Sequence, residues 1–506
     1  MGVRVRPWAP ATKICAYCML LNEGAPIPHS APARRSPTAT LVVLAIAAMS
    51  YVLQQTLVVP ALPDIQRDLH TSNTWVAWVF TGFLLTSAIF TPIIGKLGDM
   101  FGKKRLLVVA MGMFAIGTIV AALAQSITVL IIARAIQGIG GAIFPLSFGI
   151  IRDELPADRV GPGLGLLSAT FGVGGGLGLV LSGIILQHGS WSSLFWVGLI
   201  PGVIALVAVA VLIPESPIRT PARIDWFGAL TLSGALGALL IALSEGAKWH
   251  WLSPLTLGVF ALALLFSVLW VVVELHVKEP LIDIGLMRDP SVFWTNFVAL
   301  LAGVAMFSTF LLIPMLVESP RGLPPAVGAQ LHYGFNATVV QAGLYLLPSS
   351  VVMFIVGPLA GMLEARVGAR LLLTIGLSIL ACGALALVVA HESKLGIVIA
   401  MGLVGGGVGT SYSMLAKLIV DSVPREVTGV AMGMNTVMRT IGGVIGGQIG
   451  AAVLASVTLA PPFPPIPTID GFVAMFSVAA GIALLGAIFT TRIPKTTHHY
   501  KEVTAQ

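Results

Sequence analysis

Polar residues interrupt this chain rarely and in clusters, leaving fourteen apolar runs of about 20 residues, the length of helix that crosses a hydrocarbon core of about 30 Å. The runs fall near 39–60, 74–95, 105–124, 127–150, 162–186, 193–213, 224–243, 254–274, 292–317, 338–361, 370–390, 395–416, 428–456 and 471–491. Each predicts a membrane-spanning helix, because a helix satisfies its own backbone hydrogen bonds where no water can. The pair 224–243 and 254–274 rests on the thinnest pattern for two full crossings.

Composition agrees with that pattern. Of 506 residues, 57% are hydrophobic and 10% charged, and mean hydropathy is +0.96. A soluble domain carries about 25% charged residues, so lipid must solvate most of this chain. Most of the 56 glycines and a minority of the 32 prolines fall inside the apolar runs, without a fixed short period. Small residues let membrane helices approach closely, and proline is tolerated there. The expected fold class is all-α integral membrane.

The net charge of +7 has a topological explanation. Fourteen crossings put both termini on one side. With that side inside, the tails and even-numbered connections hold 22 of the 28 Lys and Arg residues, and the odd-numbered connections hold four: Arg67, Lys248, Arg321 and Lys394. Arg134 and Arg439 lie within spans. This is the asymmetry of the positive-inside rule, and it leaves no need for a nucleic-acid partner.

Residues 1–38 are polar, basic and proline-containing. Their apolar stretch from Ile14 to Leu21 is too short and interrupted for a signal peptide. They are read as a disordered cytoplasmic tail, with the true start codon left open. Cys15 and Cys18 have CxxC spacing but no second pair or nearby histidine, so no metal is expected. With Cys382 as the third cysteine, no disulfide framework follows. The connection Pro461–Pro467 reads as a stiff outer spacer.

Two connections repeat. The loop Gly95–Arg105 (GKLGDMFGKKR) and the loop Gly361–Arg370 (GMLEARVGAR) each place a glycine, an acid, a second glycine and basic residues between two helices. Matching loops predict two six-helix bundles, 39–213 and 292–491, related by pseudo-two-fold symmetry. An inserted helix pair with its linkers (214–291) joins them, and 492–506 forms a second cytoplasmic tail.

These residues resemble the major facilitator superfamily, in its fourteen-span drug:proton antiporter branch, over about residues 40–490. The resemblance is carried first by Gly95, Asp99, Gly102, Lys103, Lys104 and Arg105. It implies that they form a latch holding the bundles together in the outward-open state. Met100 stands where the family carries a basic residue. A stop-transfer loop needs Lys and Arg but no acid between spaced glycines.

The second resemblance is RAIQGIGGA in the fourth span, with Arg134, Gln137 and Gly138; it implies a coupling role for Arg134. An intramembrane arginine is costly and marks a site by default, although anchoring to backbone carbonyls is the other reading. The third, in the fifth span, retains Gly174, Gly178 and Gly183 but has Leu179 for the family's proline and Ser182 for a glycine, so close helix packing is the expected role.

At the end of the first span, Thr56, Ala61, Leu62, Pro63, Asp64 and Ile65 match the branch signature, while Gln54 stands where the branch carries an aspartate. An amide does not exchange a proton in the physiological range. Asp64, with Glu318 after the ninth span, is a substitute acid or a solvated helix end.

In the thirteenth span Gly442 and Gly446 belong to a small-residue stripe. Arg439 either faces a central cavity, favouring an anionic or amphiphilic substrate, or is structural. Trp78 and Phe83 are candidate cavity residues; Trp75 reads as an interfacial aromatic.

The resemblance implies a secondary transporter of hydrophobic or amphiphilic compounds, exporting them at the expense of the proton gradient, with no cofactor, lipid as surroundings and a monomeric state. The alternative is a facilitator or a lipid or glycolipid exporter of the same fold. A membrane-embedded transferase needs a clustered site, and no histidines cluster with acids in any span. No GxxxxGK[ST] loop is present for ATP.

Overall fold

The structure, a computed structural model, describes residues 36–216, 218, 224–320, 333–458 and 467–494. Cys15 and Cys18, nearly all of both predicted tails, and the proline-rich connection apart from Pro467 lie outside the described residues.

Fourteen helices long and apolar enough to cross a membrane run through the described residues. They are α1 (Pro37–Asp68), α2 (Trp75–Phe101), α3 (Lys103–Ala122), α4 (Ile127–Glu154), α5 (Ala157–His188), α6 (Trp191–Leu212), α7 (Trp226–Glu245), α8 (Pro254–His276), α9 (Pro290–Glu318), α10 (Val339–Val367), α11 (Ala369–Ala390), α12 (Lys394–Ser422), α13 (Arg425–Ser456) and α14 (Ile469–Arg492). The inserted pair, weakest in the sequence pattern, forms two complete helices, α7 and α8.

Local chemistry sets several helix starts. Ser72, Ser126, Asp225, Ser253, Thr338 and Ser393 each accept a backbone N–H of the first turn, satisfying donors that a helix leaves orphaned. Asp289 does the same ahead of Pro290, whose missing N–H costs nothing there. Within α1 the helix tightens to a 3₁₀ turn at Val59–Ala61, beside Pro60, and restarts at Leu62–Asp68. Gly140 and Gly141 sit in a similar tightened turn within α4.

The bundles meet along two seams related by the pseudo-two-fold axis. In the first, α5 packs on α10. A Cβ at Gly361 would lie 2.2 Å from the Gly161 carbonyl oxygen, one at Gly165 2.2 Å from that of Gly357, and one at Gly183 2.6 Å from Val340. Glycine is required because the two backbones themselves touch, and the contact runs nearly the length of both helices. In the second seam a Cβ at Gly95 of α2 would lie 2.5 Å from the Gly429 oxygen of α13, and one at Gly433 would lie 2.9 Å from Pro92. Farther along α2, from Ser87 toward Phe80, a cavity separates α2 from α13.

Helix α7 covers that second seam. Its Leu232, Leu236 and Leu240 are buried in one cluster with Ala88 of α2 and Met434, Val437 and Ile441 of α13. Helix α8 rests on α7 through Phe266, which packs over Gly234. Its other face exposes Leu264, Leu265, Val268 and Leu275, an apolar surface that only lipid solvates well.

Candidate transport site and its closed end

The end of the molecule carrying Lys103 is shut. Asp99, buried at the end of α2, accepts hydrogen bonds from the backbone N–H groups of Gly429 and Val430, both at 3.1 Å. After a 3₁₀ turn at Arg425–Val427, the α-helical part of α13 begins at Thr428, so these are donors of its first α-helical turn, where the helix dipole also favours a carboxylate. Lys103, fully buried, places Nζ 3.4 Å from Asp99 and 2.7 Å from Asp153. Gly149 leaves room for the lysine stem, since a Cβ there would lie 2.7 Å from it.

The linker after α6 completes this end. Ser216 Oγ donates to Asp153 at 2.6 Å, and Glu215 accepts the Lys104 backbone N–H at 3.1 Å while lying 3.6 Å from Arg105. Gly102 has φ +113°, and a Cβ there would lie 2.6 Å from Glu215, so glycine is needed for both conformation and space. Gly368, its counterpart in the second repeat, has φ +88°.

Arg152 of α4 adds a bond across the seam, donating to the carbonyls of Pro424 at 3.0 Å and Val423 at 2.6 Å and to the Thr428 hydroxyl. Nothing in the loop pattern marked Arg152 or Glu215, because their partners lie far away in sequence. Met100, where the family has a basic residue, is buried and faces Trp226, Ala229 and Leu281 beside α7. A charge at that position would have to be buried against the inserted helix.

Deeper in the first bundle, Arg134 is held on several sides. Its Nε donates to the Val79 carbonyl at 2.9 Å, and its Nη1 donates to Gln137 at 2.7 Å and to the Gln54 carbonyl at 3.4 Å. Gln137 in turn donates to Thr118 at 2.7 Å. The guanidinium lies 4.2 Å from the centre of the Phe83 ring, a cation–π contact. Gly138 permits the approach of α4 to α2, as a Cβ there would lie 2.5 Å from the Phe83 carbonyl oxygen. The Gln54 side chain is buried with neither amide atom hydrogen-bonded.

Two chambers lie between the bundles. The inner one, about 260 Å³, is lined by Tyr51, Ser87, Phe144, Tyr412, Thr436 and Arg439 among others. The second, about 460 Å³, extends toward the opposite end, past Thr56, Pro63 and Leu179 to Glu318 and Val339. Gln55, Phe80, Phe171, Phe307 and Leu311 line both. An aromatic, largely apolar cleft of this size accommodates a drug-sized molecule.

Two expectations for the cavity need correcting. Phe83 is fully buried, stacked on Tyr51 at 5.1 Å and under Arg134, so it belongs to the core. Trp78 lines neither chamber. Phe80, Leu84 and Ser87 carry the cavity face of α2, and Trp78 sits about 200° around the helix from Phe80. Asp64 pairs with Arg67 in the first turn of the short helix Leu62–Asp68. Glu318 does line the outer chamber.

The glycine stripes touch neighbouring helices. A Cβ at Gly174 would lie 2.6 Å from Val52, one at Gly178 1.9 Å from Thr56, one at Gly442 2.1 Å from the Leu300 oxygen, and one at Gly446 2.5 Å from the Val304 oxygen.

Comparison with known proteins places the geometry in a family. The sequence model of the Major Facilitator Superfamily matches residues 44–447. The chain is 30% identical over 403 residues to the multidrug resistance protein Stp of Mycobacterium tuberculosis, covering 79% of this chain and 72% of Stp. It is 28% identical over 410 residues to the tetracenomycin C resistance and export protein of Streptomyces glaucescens, covering 79% and 73%. Among solved structures, the human organic anion transporter MFSD10 (TETRAN) superposes with a TM-score of 0.63 at 15% identity, over 90% of this chain and 99% of that one; the likeness is one of fold. Two bundles, a cavity between them and these matches together make the chain a membrane transporter, not an enzyme, belonging to the major facilitator superfamily and grouping with its multidrug-resistance members.

Proposed function

We propose that this transporter exports hydrophobic and amphiphilic compounds across the plasma membrane by alternating access, driven by the proton gradient, with both termini on the cytoplasmic side. The observation that carries the reading is the aromatic cleft between the bundles, closed at the Lys103 end and extending toward the other. With the basic connections inside, this is an outward-facing state, and a substrate in the cleft would leave to the exterior. The resistance and export functions named for the two relatives support the direction.

The coupling acid in this reading is Glu318, at the mouth of the outer chamber, with Arg134 relaying the change between states. A second reading, a facilitator or lipid exporter, is favoured by the amide of Gln54 at the family's acidic position. Efflux of two neutral dyes, Nile red and N-phenyl-1-naphthylamine, from cells producing the protein separates the two. Export that stops when a protonophore is added supports antiport. Export that persists unchanged assigns the second reading, and no export of either dye overturns the drug-export proposal.

A further inference from the structure

The two intramembrane arginines have unlike surroundings. Arg134 spends Nε and Nη1 on two backbone carbonyls and Gln137 and leaves only Nη2 without a partner. Arg439 makes a single hydrogen bond among the described residues, from Nη2 to the Thr436 hydroxyl at 3.1 Å. Its Nε and Nη1 are buried without a partner. The residue is only 3% exposed, and it forms no ion pair with any carboxylate among the described residues.

What does surround Arg439 is aromatic. The Tyr412 ring centre lies 4.7 Å from the guanidinium and that of Phe171 5.2 Å away. Both rings line the inner chamber with Arg439 itself. Tyr412 Oη is a further buried atom without a partner. A buried cation with unpartnered donors beside a cavity is expensive, and its cation–π contacts return only part of that cost. A carboxylate, sulfonate or phosphate monoester in the chamber would supply the charge-assisted acceptor that these donors lack.

Resting on the export reading above, we infer that the preferred substrates are anionic amphiphiles, whose headgroup binds Arg439 in the inner chamber while the apolar body lies toward Phe307, Phe310 and Leu179. Glu318, the carboxylate that lines the outer chamber, sits at its far end, so the apolar body separates the two charges. A lipophilic cation would meet Arg439 with like charge in a site of low dielectric.

The test uses two dyes that differ by one group: 8-anilinonaphthalene-1-sulfonate and its neutral parent, N-phenyl-1-naphthylamine. Binding to the full chain in phosphatidylcholine nanodiscs is read by fluorescence, with empty nanodiscs subtracted. The wild type should bind the sulfonate at least tenfold more tightly than the parent. R439Q should abolish that preference while changing the affinity for the parent less than twofold, and R439K should keep part of it.

Equal wild-type affinities for the two dyes, or an equal loss of both in R439Q, would overturn the inference. The wild-type comparison decides even if R439Q fails to fold. Failure of the inference is distinguishable from failure of the export reading: cells that export the neutral dye while nanodiscs show no sulfonate preference sink only the inference.

Discussion

At position 54 an amide is buried beside Arg134 with both polar atoms unpaired. A buried unsatisfied polar group costs about 1–3 kcal/mol, and an apolar side chain of similar size would remove that cost. Gln54→Leu is therefore expected to raise the melting temperature measured by fluorescence-detected size exclusion. It is also expected to slow transport at least fivefold, if the amide is kept for the conformational cycle; transport at the wild-type rate would assign Gln54 to no role in it. Arg134→Lys keeps the charge but loses the forked geometry that reaches Val79 and Gln137 together. Dye efflux should fall at least tenfold, with normal insertion checked on membrane blots. The residues that stand out in the sequence are charges: Asp99 and Lys103 in a glycine-spaced loop, and Arg134 and Arg439 inside apolar runs. Aromatics of the cavity wall, such as Phe80, Phe171 and Tyr412, do not, because an aromatic inside an apolar run looks the same whether it faces lipid, core or cleft. That is why Phe83 and Trp78 read as cavity residues in the sequence while the fold turns both away from the cleft.

The helices themselves were legible because twenty apolar residues have one way to cross a bilayer. Their partners were not, since the bond from Asp99 to Gly429 joins residues 330 apart and no local pattern encodes it. The glycines offer a direct test of how α5 meets α10. Gly361→Val has no room beside the Gly161 carbonyl, and the helices must separate. It should lower the melting temperature by several degrees, as expected of a loss of about 2 kcal/mol or more through overpacking. Gly112 in α3 has nothing within 4 Å of the point where a Cβ would sit, so Gly112→Ala should be neutral or slightly stabilising in the same assay. If both variants melt alike, the seam is not held by backbone contact.

For the whole molecule, the bonds of Asp99 and Arg152 to the start of α13 should set the balance between states. Removing the charge in Asp99→Asn weakens its bonds to Gly429 and Val430 and leaves Lys103 to Asp153 alone. Spin labels at the exposed Ala157 and Glu426, one in each bundle near the closed end, should then report a longer and broader distance by double electron–electron resonance. An unchanged distribution would remove Asp99 from the control of closure.

The two seams also differ in a way that shapes any rocking motion. Along α5 and α10 backbone rests on backbone almost from end to end, so that side suits a pivot. The α2 and α13 side has only a short clasp, and the leucines of α7 span the gap above it like a sliding cover. Were the clasp to release, α2 and α13 would have to part beneath that leucine face, and a molecule entering sideways from the bilayer on this flank would first have to push the cover aside.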